Sequence, residues 1–226
     1  MYHVDAYEEL ENEHLRRFEE YTKIKNILYK DNTHIEYVNK YLIVILQAFV
    51  EGYVKIAFEI YIKYVNLNRI NVNCINRYLL TLTLSKELTT LCDTNKKSKL
   101  FKRKLPEDKK LHLLARQYNF INEYENIQNH TVEIRSEDVT GFNLLFPNSI
   151  KRALFLLGLD YDWIDEYKCI LYKIINKRND IAHEMMGDEV EANEYNDLES
   201  NIFKIMEEIK LLIYLSLKNE RYIDDS

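Results

Sequence analysis

The stretch LIVILQAFV, from Leu42 to Val50, is apolar on almost every side of a helix. It belongs to a segment of about residues 34–66 that contains no proline and a single glycine, Gly52. A helix that is apolar on all faces is typical of the centre of a helical bundle. The run is about half of the ~20 residues that a membrane span requires, and Gln47 interrupts it. We therefore expect a buried central helix and no membrane partner.

The composition favours helices over sheets. The 226 residues include only 4 glycines and 2 prolines, too few for a β-sandwich, a barrel or a glycine-looped nucleotide fold. The 46% of hydrophobic residues and 30% of charged residues exclude a disordered tail and a membrane bundle. The net charge of −6 gives no overall attraction to nucleic acid, so such binding requires a local basic patch. The polar, acidic start of the chain predicts a cytoplasmic protein.

The histidines and cysteines do not have the spacing of a metal site. Cys74, Cys92 and Cys169 are far apart, and no Cys-x-x-Cys pair occurs. The segment HEMMGDE, which begins at His183, lacks the second histidine of a His-Glu-x-x-His zinc motif. We expect reduced, buried thiols, no metal and no cofactor.

Several further helices are predicted on either side of the central one, by apolar periodicity and by capping residues. Four of them cover about residues 5–29, 74–91, 106–128 and 194–219. A fifth, short helix is capped by Ser149 and ends at Gly158, and a sixth begins at Asp160 or Asp162 and continues through at least Lys177. Residues 130–137 alternate like a strand, but a single strand has no obvious partner, so we expect a loop or a short hairpin there. The sequence therefore predicts one all-α domain with an irregular middle.

One strongly basic segment, KKSKLFKRK at residues 96–104, stands out in this acidic chain. Clustered lysines and arginines neutralise phosphates, which favours contact with an RNA backbone. A solvated connection between helices remains the alternative. The candidate RNA-binding residues are Lys96, Lys97, Lys99, Lys102, Arg103 and Lys104.

The segment LYKIINKRNDIAHE, at residues 171–184, carries the candidate chemistry. Its apolar stripe continues onto Arg178 and Ala182, so the pattern directs the guanidinium toward the core, where a charge needs a carboxylate or an anionic substrate. His183 follows Arg178 by five residues, which places the two about 140° apart on a regular helix. They converge only if the helix frays or a second subunit intervenes. Asn179 shares the face of His183 and is a candidate for orienting it.

The string RNDIAH at the end of a helix, before a short acidic loop and a long last helix, resembles the signature of the HEPN superfamily. Those domains are all-α and carry an Arg-x4-6-His motif. Two further segments agree, FVEGYVK at residues 49–55 and GFNLL to LGLD at residues 141–160. The similarity is to compact bacterial toxin and defence ribonucleases related to the RiboL-PSP-HEPN group. It implies an HEPN-like helical bundle over residues 1–226, with a helical insertion at about residues 67–139, between the second core helix and the motif helix.

The resemblance also implies a function. Active HEPN proteins are metal-independent endoribonucleases that work as homodimers, with the two motifs lining one cleft. Arg178 would hold the scissile phosphate, His183 would transfer protons, Asn179 would orient the histidine, and Glu51 would lie near the motif helix. The implied partners are RNA, a second copy of the chain, and an antitoxin or a neighbouring defence protein.

Two features leave alternatives open. Glu184 follows the motif histidine where many relatives have glycine, and an acidic run continues to Glu199. These carboxylates either repel RNA, which would leave a non-catalytic module that binds RNA, a nucleotide or a protein, or simply solvate the loop. Glu51 and Lys55 lie four residues apart, so an ion pair between them is the alternative to a site role for Glu51. A helical assembly subunit without a cleft is a third interpretation.

Overall fold

The computed structural model describes residues 2–30, 34–101, 108–184 and 189–224, and for residues 183 and 184 it describes the backbone alone. The described elements are helices, which confirms the predicted all-α fold. The α-helices are α1 (Tyr2–Lys30), α2 (Ile35–Leu67), α3 (Arg77–Thr83), α4 (Ser85–Cys92), α5 (Lys109–Gln128), α6 (Glu137–Thr140), α7 (Pro147–Leu156), α8 (Ile164–Glu184) and α9 (Ala192–Lys218). Two 3₁₀ turns, η1 (Val72–Cys74) and η2 (Lys99–Phe101), lie between them.

The predicted central helix is α2, which packs against α1, α8 and α9. Its buried side chains point in almost every direction around the axis, as the apolar composition requires. By length and composition α2 is also apolar enough to cross a membrane, but half of its most apolar window is buried inside the bundle. A core helix passes the same test, so the finding is weak evidence for a membrane span.

The directions of the long helices follow from contacts between their ends. Helices α2 and α9 run parallel, because Asn39 bonds to Val190 just before α9 and Tyr61 bonds to Ser216 near its end. Helix α8 runs antiparallel to α9, because Tyr167 near its start bonds to Glu208. The last turns of α8 and the first turns of α2 and α9 therefore lie at the same end of the bundle.

The middle of the chain is attached at the opposite end of the bundle. Val132 donates its backbone N–H to Ile70 just after α2, and residues 71 and 131 form an isolated antiparallel bridge. Asp224, beyond α9, donates to the carbonyl of Cys74. The strand-like residues 130–137 thus pair through one bridge and are otherwise a loop with a short turn of helix. The boundaries of the insertion stay a prediction.

The predicted helix at residues 74–91 is two helices, α3 and α4, that meet at Leu84. Just before the break, the hydroxyls of Thr81 and Thr83 donate to the carbonyls of Arg77 and Leu79, four residues earlier. Such bonds back to the helix backbone bend helices. The sequence pattern shows the apolar period but not this competition for carbonyls.

Two further expectations from the sequence are wrong in detail. Ser149 does not cap α7, because Pro147 occupies the first turn and Phe146 is the capping residue. The end of that helix is as predicted, since Gly158 adopts a φ of +67° that favours glycine. The three cysteines are free but exposed rather than buried. They lie in a 3₁₀ turn, at the end of α4 and on the outer face of α8, where the core does not reach.

Candidate active site

The buried stripe of α8 becomes exposed in its last two turns. Leu171, Ile174 and Ile175 are buried, whereas Arg178 and Ala182, at the same angles around the helix, are exposed. The expectation that the guanidinium points into the core is therefore wrong for the single chain. No described helix covers this end of the stripe. Within the described part of the single chain, Arg178 is not buried against a carboxylate, and the third interpretation, a helical assembly subunit, stays untested.

The charge of Arg178 is not neutralised within the described part of the chain. Its Nη1 donates to Oδ1 of Asn179 at 3.2 Å, and no described carboxylate forms an ion pair with it. Its neighbours behave differently, since Lys173 and Lys177 both pair with Glu194, at 2.9 and 3.1 Å. An exposed guanidinium that contacts only a neutral amide keeps donors available for an anion.

The motif helix is continuous through residue 184. The fraying that would bring Arg178 and His183 together in one chain is therefore absent from this helix, and the two positions remain about 140° apart around it. The side chain of His183 lies outside the described residues, so the orienting role of Asn179 stays a prediction. The contact that the structure gives for Asn179 is to Arg178 instead.

Glu51 is not brought to the motif within the chain. Glu51 is half-buried on α2, and Lys55, four residues later, is exposed. The described ion pairs do not include one between these two residues. Arg178 is level with the first turns of α2, near Asn39, because the neighbouring Lys177 pairs with Glu194 at the start of α9. Glu51 lies twelve residues beyond Asn39 on α2, or about 18 Å at the helical rise. A site role for Glu51 stays a prediction.

The acidic run beside the motif is partly neutralised. Burial alone would raise the pKa of Glu194, but hydrogen bonds from Lys173 and Lys177 outweigh it and lower that pKa. Glu199 pairs with Lys25 at 2.7 Å. The remaining described carboxylates of the run, Glu189, Glu191 and Asp197, are exposed. The side chain of Glu184, and Asp188, lie outside the described residues.

A buried polar network next to the motif end was not found from the sequence. Asn39, which is fully buried, accepts a hydrogen bond from Tyr29 at 2.6 Å and donates to the carbonyl of Val190 at 2.9 Å. Beside it, the hydroxyls of Tyr21 and Tyr195 form a buried hydrogen bond. The only sequence signal was an asparagine ahead of an apolar run. The network ties Val190, just before α9, to the first turns of α2.

No described contact joins the basic segment to Arg178 in the same chain. Lys96, Lys97 and Lys99 are exposed beside the start of α5, in the part of the chain that joins the bundle near Ile70. From Asn39 to Ile70 the bundle extends about 40 Å at the helical rise. Lys102, Arg103 and Lys104 lie outside the described residues. RNA binding by the segment stays a prediction.

Comparisons with known proteins identify one family. A model of the family described as RiboL-PSP-HEPN matches residues 12–214. No curated protein and no solved structure matches the chain. Within residues 2–30, 34–101, 108–184 and 189–224, no group of three or more histidines, cysteines or carboxylates is placed to hold a metal ion.

Proposed function

The chain belongs to the RiboL-PSP-HEPN family, and on this premise we propose that it is a metal-independent endoribonuclease that acts as a homodimer. The HEPN fold is often that of a ribonuclease. The proposal is carried by one observation, the exposed Arg178 on the continuation of a buried stripe, with Asn179 as its described hydrogen-bond partner.

Arg178 supplies the charge stabilisation. Its planar guanidinium donates two parallel hydrogen bonds to the oxygens of a phosphodiester. Negative charge grows on these oxygens as the phosphorus becomes five-coordinate, so the bonds strengthen in the transition state. The lysines one and five residues earlier already pair with Glu194. Arg178, at the end of the same helix, has no described carboxylate partner and is available for the scissile phosphate.

His183 supplies the proton transfers. With a reference pKa near 6.5, an imidazole takes a proton from the ribose 2′-hydroxyl, which attacks the adjacent phosphorus and expels the 5′-oxygen. The imidazolium formed in this way then delivers its proton to that oxygen, so one histidine and one arginine complete the step. The products carry a 2′,3′-cyclic phosphate and a 5′-hydroxyl. The nucleophile belongs to the RNA, so the step needs no water activated by a metal.

The angle between the two motif residues supports a site formed by two chains. On one continuous helix the positions are about 140° apart, too far around for both side chains to face one phosphate. A two-fold axis beside the exposed stripe of α8 brings Arg178 of one chain toward His183 of the other. The exposed end of the stripe is the surface that such a dimer would cover.

The second candidate is a non-catalytic module that binds RNA, a nucleotide or a protein. The exposed carboxylates Glu189, Glu191 and Asp197 favour it, because they repel a polyanion near the motif. Neutralisation of Glu194 and Glu199 by lysines reduces this repulsion, so we rank cleavage first. In the cell we propose a cytoplasmic toxin or antiviral effector, held inactive by an antitoxin or a neighbouring defence protein until it is released.

The test is RNA cleavage in EDTA by the full chain. We expect the wild type to cut single-stranded or structured RNA, and Arg178→Ala and His183→Ala to lose activity by at least about 100-fold. Arg77→Ala and His130→Ala, exposed residues outside the motif, serve as matched controls and should retain activity. Binding of RNA without cleavage by the wild type would favour the non-catalytic module and reject the nuclease.

A further inference from the structure

A small cavity at the start of α5 is lined only by residues with hydrogen-bond donors. Its volume is about 120 Å³, and its lining residues are Thr94, Asn95, Lys96, Lys97, Lys109 and His112. No lining residue is a carboxylate. At ~30 Å³ per water molecule the cavity has room for about four waters. That space fits a phosphate group, which has five heavy atoms, but not a nucleoside.

A buried arginine builds the loop that forms this cavity. Arg116 is 7% exposed, and its guanidinium donates to the backbone carbonyls of Thr90, Asp93, Lys96 and His112. All of these acceptors are neutral. A fixed positive charge, not cancelled by any of the groups to which it is bonded, therefore lies beneath the loop.

Three polar side chains of the cavity lining, those of Lys96, Lys109 and His112, have described partners that are neutral or backbone groups. Lys96 donates to the hydroxyl of Thr90 at 3.0 Å, and Lys109 donates to Asn95 at 3.1 Å. The backbone N–H of Ser98 donates to Nδ1 of His112 at 3.1 Å, so the neutral ring carries its proton on Nε2. Each ammonium has three donors, and these bonds use one of them.

The two described carboxylates next to the cavity along the chain, Asp93 and Asp108, accept hydrogen bonds from backbone N–H groups. Asp93 accepts from the N–H of Asn95 at 2.9 Å, and Asp108 caps α5 by accepting from Lys110 and Leu111. Elsewhere in the described chain lysines pair directly with carboxylates, as Lys25, Lys63, Lys151, Lys173, Lys177 and Lys210 do. The described ion pairs include neither Lys96 nor Lys109. The cavity lining therefore holds three lysines and no carboxylate, a local excess of positive charge in a protein of net charge −6.

We infer that this cavity, which we call the α5 pocket, binds one backbone phosphate of a polyribonucleotide, away from the cleavage site. The pocket chemistry selects a phosphate oxyanion, and the choice of RNA as its source rests on the proposed function. The pocket belongs to the part of the chain that joins the bundle at the end opposite Arg178. It therefore serves as a second anchor for a long RNA, which raises affinity through effective concentration.

The test uses a full chain that carries Arg178→Ala, so that binding is measured without cleavage. Fluorescence anisotropy with a labelled polyuridine compares this protein with one that also carries Lys96→Glu and Lys109→Glu. The matched control carries Lys204→Glu and Lys218→Glu, exposed lysines of α9 whose replacement changes the net charge equally. All of these lysines are exposed, and circular dichroism checks that the variants remain folded.

We expect the pocket variant to bind polyuridine at least about tenfold more weakly than the parent, with a salt slope smaller by about one or two. The control should lose less than threefold. An equal loss of affinity for polyuridine in both variants, or no loss in the pocket variant, would overturn the assignment of the α5 pocket as a phosphate site. Pocket-dependent binding to phosphatidylglycerol vesicles but not to polyuridine would overturn RNA as the ligand. The outcome of this binding experiment does not depend on cleavage. A wild type that does not cut RNA would reject the proposed nuclease activity but would not reject the α5 pocket.

Discussion

The side-chain amide of Asn39 donates a hydrogen bond to the backbone carbonyl of Val190, 2.9 Å away and 151 residues later in the chain. Asn39 is fully buried, and its oxygen accepts from Tyr29. One side chain thus ties the start of α2 to α1 and to the segment that follows the motif helix.

Replacement of Asn39 by leucine should destabilise the protein by about 1–3 kcal/mol, because the buried carbonyl of Val190 and the half-buried hydroxyl of Tyr29 lose their partner. Urea unfolding measures the change in the free energy of unfolding. Asn176→Leu is the matched control on the exposed face of α8, with an expected change within about 0.5 kcal/mol. Equal values for the two variants would contradict the role of Asn39.

Arg178→Lys should lose ribonuclease activity by at least about tenfold although the charge is kept, because a lysine cannot donate two parallel bonds to a phosphate. The free energy of unfolding should change by less than about 0.5 kcal/mol, since the side chain is exposed. Steady-state cleavage and urea unfolding are measured on the same preparations. Full activity in Arg178→Lys would show that a point charge suffices and that the bidentate contact is wrong.

Arg116→Met should open the loop at residues 93–98 without unfolding the bundle, because the backbone carbonyls that Arg116 holds together lose their donor. Hydrogen exchange at the amides of Asn95 and Ser98, which are bonded to Asp93 and His112, reports this opening. We expect these amides to exchange at least about tenfold faster, and amides of α2 to keep their protection. Unchanged exchange in the loop would refute the assignment.

His14 should make stability depend on pH. Burial lowers the pKa of His14, and the positive charge of Lys210 lowers it further. The negative charges of Glu207 and Glu11 raise this pKa but do not outweigh burial. The unfolded chain then binds a proton at a pH where the folded chain does not, so this contribution to stability is lost as the pH falls below about 6.5. The ring lies edge-on to buried Tyr53, 5.5 Å between centroids.

Urea unfolding of the wild type and of His14→Gln from about pH 7.5 to about pH 5 measures this effect. The advantage of the wild type over the variant should shrink as the pH decreases. Titrating carboxylates are common to both proteins and cancel in the difference. A difference that stays constant, or grows toward acid, would contradict burial as the dominant influence on His14.

The sequence was sufficient for the helical class and for the long elements. The all-round apolar run at residues 42–50 and the stripe of α8 correctly predicted α2 and α8, because hydrophobic burial imposes those periods on the residues themselves. The family resemblance, carried by RNDIAH, is confirmed by the match over residues 12–214.

The sequence was insufficient where a contact joins distant segments of the chain. It was also insufficient where an apolar stripe continues beyond the neighbouring helices that bury it. The stripe of α8 predicts that Arg178 is buried, but periodicity does not show where the neighbouring helices end. The bonds of Asn39 and Arg116 connect residues far apart in the chain, and no local pattern indicates them. The middle of the chain, which carries the basic segment, joins α2 at the end opposite Arg178, and this attachment is again a tertiary contact.

The central claim is that Arg178 of one chain and His183 of the other act on the same phosphate. Arg178→Ala and His183→Ala, each inactive alone, are mixed, allowed to exchange subunits, and assayed on RNA in EDTA. Because a mixed dimer keeps one intact pair across the interface, we predict that the mixture regains cleavage that neither variant has. A mixture as inactive as its two parents, at a concentration where the wild type cleaves, would contradict the account.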